Sequence, residues 1–391
     1  MSIRFRKDRI VYTIFYLIYL LPFMEIITFK YTVELCRFQF INEMMNYYLV
    51  VMCLGSVFIV FLKKYDIKSN YVAIMIMISW GYLITNTIVK TGSADKRLIA
   101  TICVLAVLSA SINTVEQFVP ILYALNIFCV VNAINVFLHI VTRGYTFLSP
   151  ERHRIIEGYY LFGYDNGFFV FLLPTLCFDL LFYVAYKEKK YLVGVLIPIV
   201  TVIAVFSASS IIGMLAVAIV YLGWKKLVRV FESRILIGCI CIILVIAYSV
   251  IMSRQTYVND LLFLVFGKTI YMARYDLWEH SLNLIRDKFL FGYGYRNIVI
   301  SNGYRDTHNF LLDWLIHGGI IGLLLFVSML AISFNEINKK QDCYKRVYFS
   351  CIIGFFVASL AESYMAYINY WCFLLILIIG SKIDLDGERL N

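Results

Sequence analysis

Apolar runs long enough to cross a bilayer recur along the whole chain, and they fix the solvent in which it folds. They occupy residues 10–29, 44–62, 71–89, 98–112, 118–141 and 167–186, then 191–206, 211–224, 235–252, 310–334, 347–361 and 371–380. A perpendicular span needs about 20 apolar residues, so the shorter runs must borrow flanking residues. Hydrocarbon offers no hydrogen-bond partner to an exposed peptide group, which leaves the helix as the form such runs can take. The expectation is an all-α, polytopic integral membrane protein of about 12 transmembrane helices. It forms one membrane domain over residues 1–391, with no room for a separate soluble domain. The stretch 191–224 is expected to turn at Ser207, Ala208, Ser209 and Ser210.

Charge is scarce and clustered. Only 15% of residues are charged, against roughly 25% in soluble proteins. The net charge of +10 follows from the cytoplasmic excess of Lys and Arg that orients membrane proteins, and nucleic acid is not an expected partner. With the N-terminus inside, twenty basic residues fall in cytoplasmic segments and eight in short outer loops, which places both termini in the cytoplasm of a bacterial inner membrane. The basic stretch 1–9 running into the first apolar segment resembles a signal peptide. The segment is long and no small-residue cleavage site follows, so it reads as a retained helix. Most of the ten cysteines lie inside apolar runs, where they serve packing, and no Cys/His spacing indicates a metal or other cofactor.

The seven remaining basic residues fall in one outer segment, 253–307, the longest hydrophilic stretch. Within it, 269–289 has helical character. Ile270, Leu277, Trp278, Leu282 and Ile285 alternate with Arg274, Asp276, Glu279, Arg286 and Asp287, which predicts an amphipathic helix lying on the membrane surface. Gly292, Tyr293 and Gly294 then break it.

Three outer clusters carry the candidate chemistry. The first runs from Glu151, Arg152, His153 and Arg154 to Tyr164, Asp165, Asn166 and Gly167. The second is Arg274 to Trp278 with the Gly292/Gly294 pair, and the third is Asp306, Thr307, His308 and Asn309 at the mouth of the 310–334 run. Arginine offers a planar fork of donors that suits phosphate oxygens, and a helix start presents free N–H groups to an anion. His308, with Asp306 two residues before it, has the chemistry of a general base toward a hydroxyl. Blander readings stand beside these. Outer arginines also anchor helices by snorkelling, and His308 also suits an interfacial hydrogen bond. His139 and His317 fit ordinary packing or inter-helix hydrogen bonds, and Gly318, Gly319 and Gly322 fit close helix packing. Glu25 and Glu362 are carboxylates near membrane depth, where charge is costly and is usually functional or paired; Glu362 falls at an outer helix end, where partial solvation is expected. On residue patterns alone the function stays open.

The stretch from Arg274 to Phe326 reads Arg-Tyr-Asp-Leu-Trp, then Phe-Gly-Tyr-Gly-Tyr, then Thr-His-Asn-Phe-Leu-Leu-Asp-Trp-Leu-Ile-His-Gly-Gly-Ile-Ile-Gly-Leu. It resembles the signature region of the O-antigen polymerase and O-antigen ligase superfamily: an Arg followed by Trp, a Gly-x-Gly, and His-Asn opening a helix with Gly-x-x-Gly further on. The segment from Arg154 to Gly167 is similar to the family's earlier Arg, Gly, Asn stretch. The resemblance implies a metal-independent membrane glycosyltransferase acting on undecaprenyl-pyrophosphate-linked oligosaccharide at the outer face. Arg274 and Arg154, with Arg152 in support, would hold the pyrophosphate. His308 would touch the acceptor hydroxyl or the leaving phosphate, and Asp306, Asn309, Trp278 and Glu362 would support it. One departure stands out: Ser209, Ser210 and Ile211 occupy the hairpin where many family members carry a basic residue, which leaves any phosphate contact there without its cation.

The resemblance implies polymerisation of lipid-linked repeat units for O-antigen or capsule, with membrane lipid, a chain-length regulator and a flippase as partners. Ligation to a different acceptor is the nearest rival, since the donor site is shared. A lipid-linked oligosaccharide flippase or solute transporter is the rival from another class. Carriers of that kind show two similar halves and central charges, neither of which the sequence displays.

Overall fold

The computed structural model describes residues 2–24, 36–62, 71–141, 159–160, 163–164, 167–231, 264, 271–301, 303–360, 362–383 and 385. Helices α1 (Ser2–Leu20), α2 (Cys36–Leu62), α3 (Tyr71–Thr91), α4 (Lys96–Ser111) and α5 (Val115–Val141) make up the first part. A two-residue hairpin follows, Tyr159–Tyr160 against Gly163–Tyr164. Then come α6 (Phe168–Tyr186), α7 (Lys190–Val205), α8 (Ala208–Phe231), α9 (Tyr271–Asp287), α10 (Phe310–Ile337), α11 (Asp342–Ser359) and α12 (Trp371–Lys382).

This is an all-α, multi-pass membrane protein. Among the described residues, α2, α3, α5, α6, α8 and α10 have the length and apolarity to cross a bilayer, and α7 and α12 are shorter apolar helices. The expected count of about twelve spans is not reached by that measure, and the run 235–252 lies outside the described residues. The break expected after 206 is present: Phe206 adopts φ 54°, ends α7, and α8 begins two residues later. No disulfide joins the described cysteines; Cys103, Cys129, Cys177, Cys351 and Cys372 are buried as packing residues.

Burial follows composition around each helix. The start of α6 is buried on every side from Phe168 to Asp179, and α12 is buried from Trp371 to Gly380. A helix apolar all round belongs in the middle of such a bundle. Helices α2 and α7 instead leave Val50, Leu54, Phe58, Val193, Leu196 and Val200 exposed, the pattern of a lipid-facing surface. At one end of the bundle Lys382 donates to the Ser109 carbonyl at 2.6 Å and Trp224 Nε1 to Asp342 at 2.9 Å. At the other end the loops gather around α10.

Helix α10 is two helices. Gly319 takes φ 65° and ψ −167° inside it, so the hydrogen-bond ladder stops there. Buried peptide groups without partners cost several kcal/mol each in a low-dielectric setting. The segment after α9 threads into the break and supplies those partners. Tyr293 N and Gly294 N donate to the carbonyls of Ile316 (2.7 Å) and His317 (3.0 Å), while Ile320 N and Ile321 N donate to those of Phe289 (2.9 Å) and Leu290 (3.3 Å). The Tyr82 hydroxyl caps the Gly318 carbonyl at 2.7 Å. Gly292 (φ 60°) and Gly294 (φ 83°) give the segment its course. Gly318 and Gly322 face the side chains of Leu83 and Tyr82 on α3, as expected of packing glycines, whereas Gly319 faces the inserted segment.

Candidate active site at the mouth of the broken helix

Helix α9 is present where an amphipathic helix is expected. Its buried residues Leu277, Trp278 and Ile285 pack with Ile300 and with Leu312 and Ile316 on the first half of α10, so protein covers this face. Leu282, Phe289, Leu290 and Phe291 remain exposed. Trp278 Nε1 donates to the Thr307 carbonyl at 2.8 Å, tying α9 to the residue before His308.

The start of α10 is built by short-range bonds. Asn309 is its N-cap, with Oδ1 accepting from Leu311 N and Leu312 N, both at 3.2 Å, and Nδ2 donating to the Leu360 carbonyl at 3.3 Å. Asp313, one turn in, accepts from Thr307 N at 2.7 Å, and Thr307 Oγ1 donates to the Asn309 carbonyl at 2.6 Å. Thr307, Asn309 and Asp313 are fully buried. Such a cap contributes about 1 kcal/mol; here it also holds His308 between two buried anchors.

His308 sits at φ 51°. Its Nδ1 lies 3.3 Å from Glu362 Oε1 and 3.6 Å from Asp306 Oδ1. Asp306 Oδ2 in turn pairs with Arg296 Nη1 at 3.2 Å, and the Tyr367 hydroxyl donates to Glu362 Oε1 at 3.2 Å. The edge of Tyr304 meets the imidazole at 5.4 Å. Arg296 is also in the left-handed region, at φ 50°. Four non-glycine residues among those described have positive φ, and two belong to this one cluster. Strain of that kind costs about 1–3 kcal/mol per residue and gathers where a fold must aim a side chain.

The surroundings explain how the cluster is held. Arg296 N donates to His317 Nδ1 at 3.3 Å, so the His317 ring bonds the inserted loop and not a neighbouring helix. Tyr295 N donates to Thr87 Oγ1 at 2.9 Å, and the Tyr295 hydroxyl donates to the Met365 carbonyl. Burial raises the Tyr295 phenol above its ordinary pKa, so this donor stays protonated. Asn86 Nδ2 reaches both the Phe291 carbonyl (2.7 Å) and the His317 carbonyl (3.0 Å), and Lys90 donates to the Gly292 carbonyl.

Of the sequence-proposed residues, the structure brings together Asp306, His308, Asn309, Trp278 and Glu362. Glu362 is only 2% exposed, more enclosed than a partly solvated helix end. Arg274 stands on α9, one turn before Trp278 in the sequence, but its side chain is outside the described residues. Arg152 and Arg154 lie outside the described residues altogether, as do Glu25, Asp165 and Asn166. The end of that segment does reach the site: a side chain at Gly167 would come within 3.2 Å of the Tyr367 ring. Sequence reading missed Arg296, Asp313 and Tyr367, and missed the α3 residues Asn86, Thr87 and Lys90. The signal for the α3 set was present, since Asn86, Thr87 and Lys90 cluster near the end of a mostly apolar helix. No group of three or more His, Cys, Asp or Glu among the described residues is arranged to hold a metal.

Comparison with known proteins bears on this region. A family model described as O-antigen ligase matches residues 193–327. An "O-antigen ligase" of Pseudomonas aeruginosa is 42% identical over 73 residues, a stretch that covers 17% of this chain and 18% of that relative. No solved structure matches the chain. The matched region contains Arg296, Asp306, His308, Asp313 and the α10 break, and there the chain is similar to the O-antigen polymerase and ligase superfamily.

Proposed function

We propose that this protein transfers a glycan from a polyprenyl pyrophosphate to a sugar hydroxyl, polymerising lipid-linked repeat units at the outer face of the inner membrane. The observation that carries this reading is the His308 imidazole, its Nδ1 facing both Glu362 and Asp306, at the mouth of a helix within the O-antigen ligase match. An Nδ1–H donated to Glu362 leaves Nε2, on the opposite edge of the ring, as the basic nitrogen. The acceptor hydroxyl oxygen attacks the anomeric carbon, its proton passes to Nε2, and the bond from that carbon to the pyrophosphate oxygen breaks. Negative charge then grows on the leaving polyprenyl pyrophosphate. Arginines stabilise it most at that moment, a role we assign to Arg274, Arg154 and Arg152. Pyrophosphate is a good leaving group, so the chain needs no bound cofactor in this scheme.

Ligation to a different acceptor uses the same donor chemistry, and the description of the matching relative favours it as the second reading. One experiment tests both. The purified protein in nanodiscs receives a synthetic lipid-pyrophosphate repeat unit, and products are sized on a gel. A ladder longer than one repeat, lost with Arg274→Ala, supports polymerisation. Transfer only when a candidate acceptor such as lipid A core is added supports ligation, and no transfer in either arm removes the enzyme reading.

A further inference from the structure

The turn after α9 keeps its backbone inside the protein and its side chains outside. The carbonyls of Phe289 and Leu290 accept from Ile320 N and Ile321 N across the α10 break, and Gly292 N donates to the Lys288 carbonyl at 2.9 Å. Phe289, Leu290 and Phe291 are nonetheless 50%, 57% and 52% exposed, and Val89, just before Lys90 on α3, is 78% exposed. Together they make an apolar shelf on a backbone that is held in place. The shelf is level with Gly319, where the uncharged stretch of α10 from Ile320 to Asn335 begins.

Two ammonium groups stand at its edge. Lys90 donates to the carbonyls of Phe291 (3.3 Å) and Gly292, which draws its charge onto the turn. Lys288 acts electrostatically on Lys90, and it has the same sign. Both lysines are exposed, and among the described residues neither forms an ion pair. Arg286 and Asp287, the preceding pair, cancel in charge, so the lysines set the sign of the patch. Snorkelling spreads lysines toward water; here two are set at one apolar turn, and their mutual repulsion calls for an anion.

Apolar surface beside paired cations, at the depth where the uncharged helix ends, matches a lipid with acyl chains and one phosphodiester. We infer that this shelf is a docking site for an anionic phospholipid. Its phosphate lies between Lys90 and Lys288, and an acyl chain runs along Val89, Phe289, Leu290 and Phe291. A zwitterionic lipid fits less well, because its own ammonium meets the two lysines. Occupancy braces the turn that fills the α10 break, so the headgroup composition of the bilayer acts on the stability of that joint. Phospholipid binding of this kind does not depend on the transfer reaction proposed above.

The test is native mass spectrometry of the full chain in detergent with equal amounts of phosphatidylglycerol and phosphatidylcholine, paired with melting temperatures in nanodiscs made with and without phosphatidylglycerol. The parent should retain phosphatidylglycerol preferentially and melt higher in its presence. Lys288→Gln and Lys90→Gln should each cut the preference about fivefold, the weight of one lysine near an anionic lipid. The Lys288 side chain makes no hydrogen bond among the described residues. Lys288→Gln should therefore melt with the parent in pure phosphatidylcholine, and a folding defect cannot account for lost selectivity. Lys189→Gln, at an exposed lysine on the opposite end of the bundle, should change nothing. No preference for phosphatidylglycerol, a preference undiminished in Lys288→Gln, or an equal loss in Lys189→Gln overturns the site. Undecaprenyl phosphate is the second probe. If Lys288→Gln loses its retention while phosphatidylglycerol is unaffected, the shelf belongs to the polyprenyl substrate and the phospholipid site is overturned.

Discussion

Gly292 and Gly319 occupy each other's side-chain space: a Cβ on Gly292 would lie 2.7 Å from the Gly319 nitrogen, and one on Gly319 would lie 2.6 Å from the Gly292 nitrogen. Both also have positive φ, at 60° and 65°. Two backbones meet here with no atom between them, and the contact couples the loop after α9 to the break in α10.

Alanine at either glycine should therefore be costly. The left-handed backbone alone costs about 1–2 kcal/mol for a residue with a Cβ, and the overlap with backbone atoms adds to it. Gly319→Ala and Gly292→Ala should each lower the melting temperature in detergent and abolish transfer. Gly303→Ala, also at positive φ but with open space around it, should show the conformational cost alone. Equal melting temperatures for all three would refute the interlock.

Asn86 offers a milder perturbation of the same joint. Asn86→Leu removes two hydrogen bonds to the carbonyls of Phe291 and His317. Each carbonyl keeps another donor, Lys90 for Phe291 and Gly294 N for His317. A loss of roughly 1–2 kcal/mol in stability is expected, read by denaturant unfolding followed through tryptophan fluorescence. Turnover should fall further than that change in stability implies, because Arg296 and His308 depend on the loop's register.

His308 and Glu362 should behave as a unit in the proposed chemistry. His308→Ala is expected to cut turnover by about 10²–10⁴-fold, the usual weight of a general base, while donor binding is largely kept. Glu362→Gln should lower turnover too, and the double variant should be little worse than His308→Ala. Loss of donor binding in His308→Ala would instead place the imidazole on the phosphates. Single-turnover assays and binding of a non-transferable donor analogue separate the two.

Arg274→Ala should abolish product while the protein remains in the membrane at its normal level. Arg274→Lys should fail as well if the contact is a bidentate fork, since an ammonium cannot reproduce that geometry. Normal product from both variants would remove Arg274 from the donor site.

The fold class was legible because the hydrocarbon core leaves so few options. Apolar runs at 71–89, 118–141 and 167–186 became α3, α5 and α6 with ends moved by a few residues. The amphipathic 269–289 stretch became α9. The α10 break was harder to see, since Gly318, Gly319 and Gly322 have the spacing of packing glycines and the partner that makes Gly319 a break lies almost thirty residues upstream. The same difficulty hid Arg296. Its pairing with Asp306 depends on where the inserted loop leaves α10, a long-range relation without periodicity. His308 and Asp306 were legible because they are two residues apart, and Glu362, 54 residues beyond His308, was singled out by its cost at membrane depth rather than by any visible link to the histidine.

The interruption of α10 also has a consequence measured in length. An unbroken helix over Phe310–Ile337, 28 residues, would extend about 42 Å, well beyond a hydrocarbon core of about 30 Å. The eighteen residues after Gly319 reach about 27 Å by themselves, and they carry no charge before Glu336. The nine residues ahead of the break, which include Asp313 and His317, are surplus to the crossing. On these lengths Gly319 falls where α10 would leave the hydrocarbon core, and the ionisable cluster lies on the polar side of it. In the proposed reaction, a donor with its phosphates at that height would reach His308 while its polyprenyl tail stayed in the lipid.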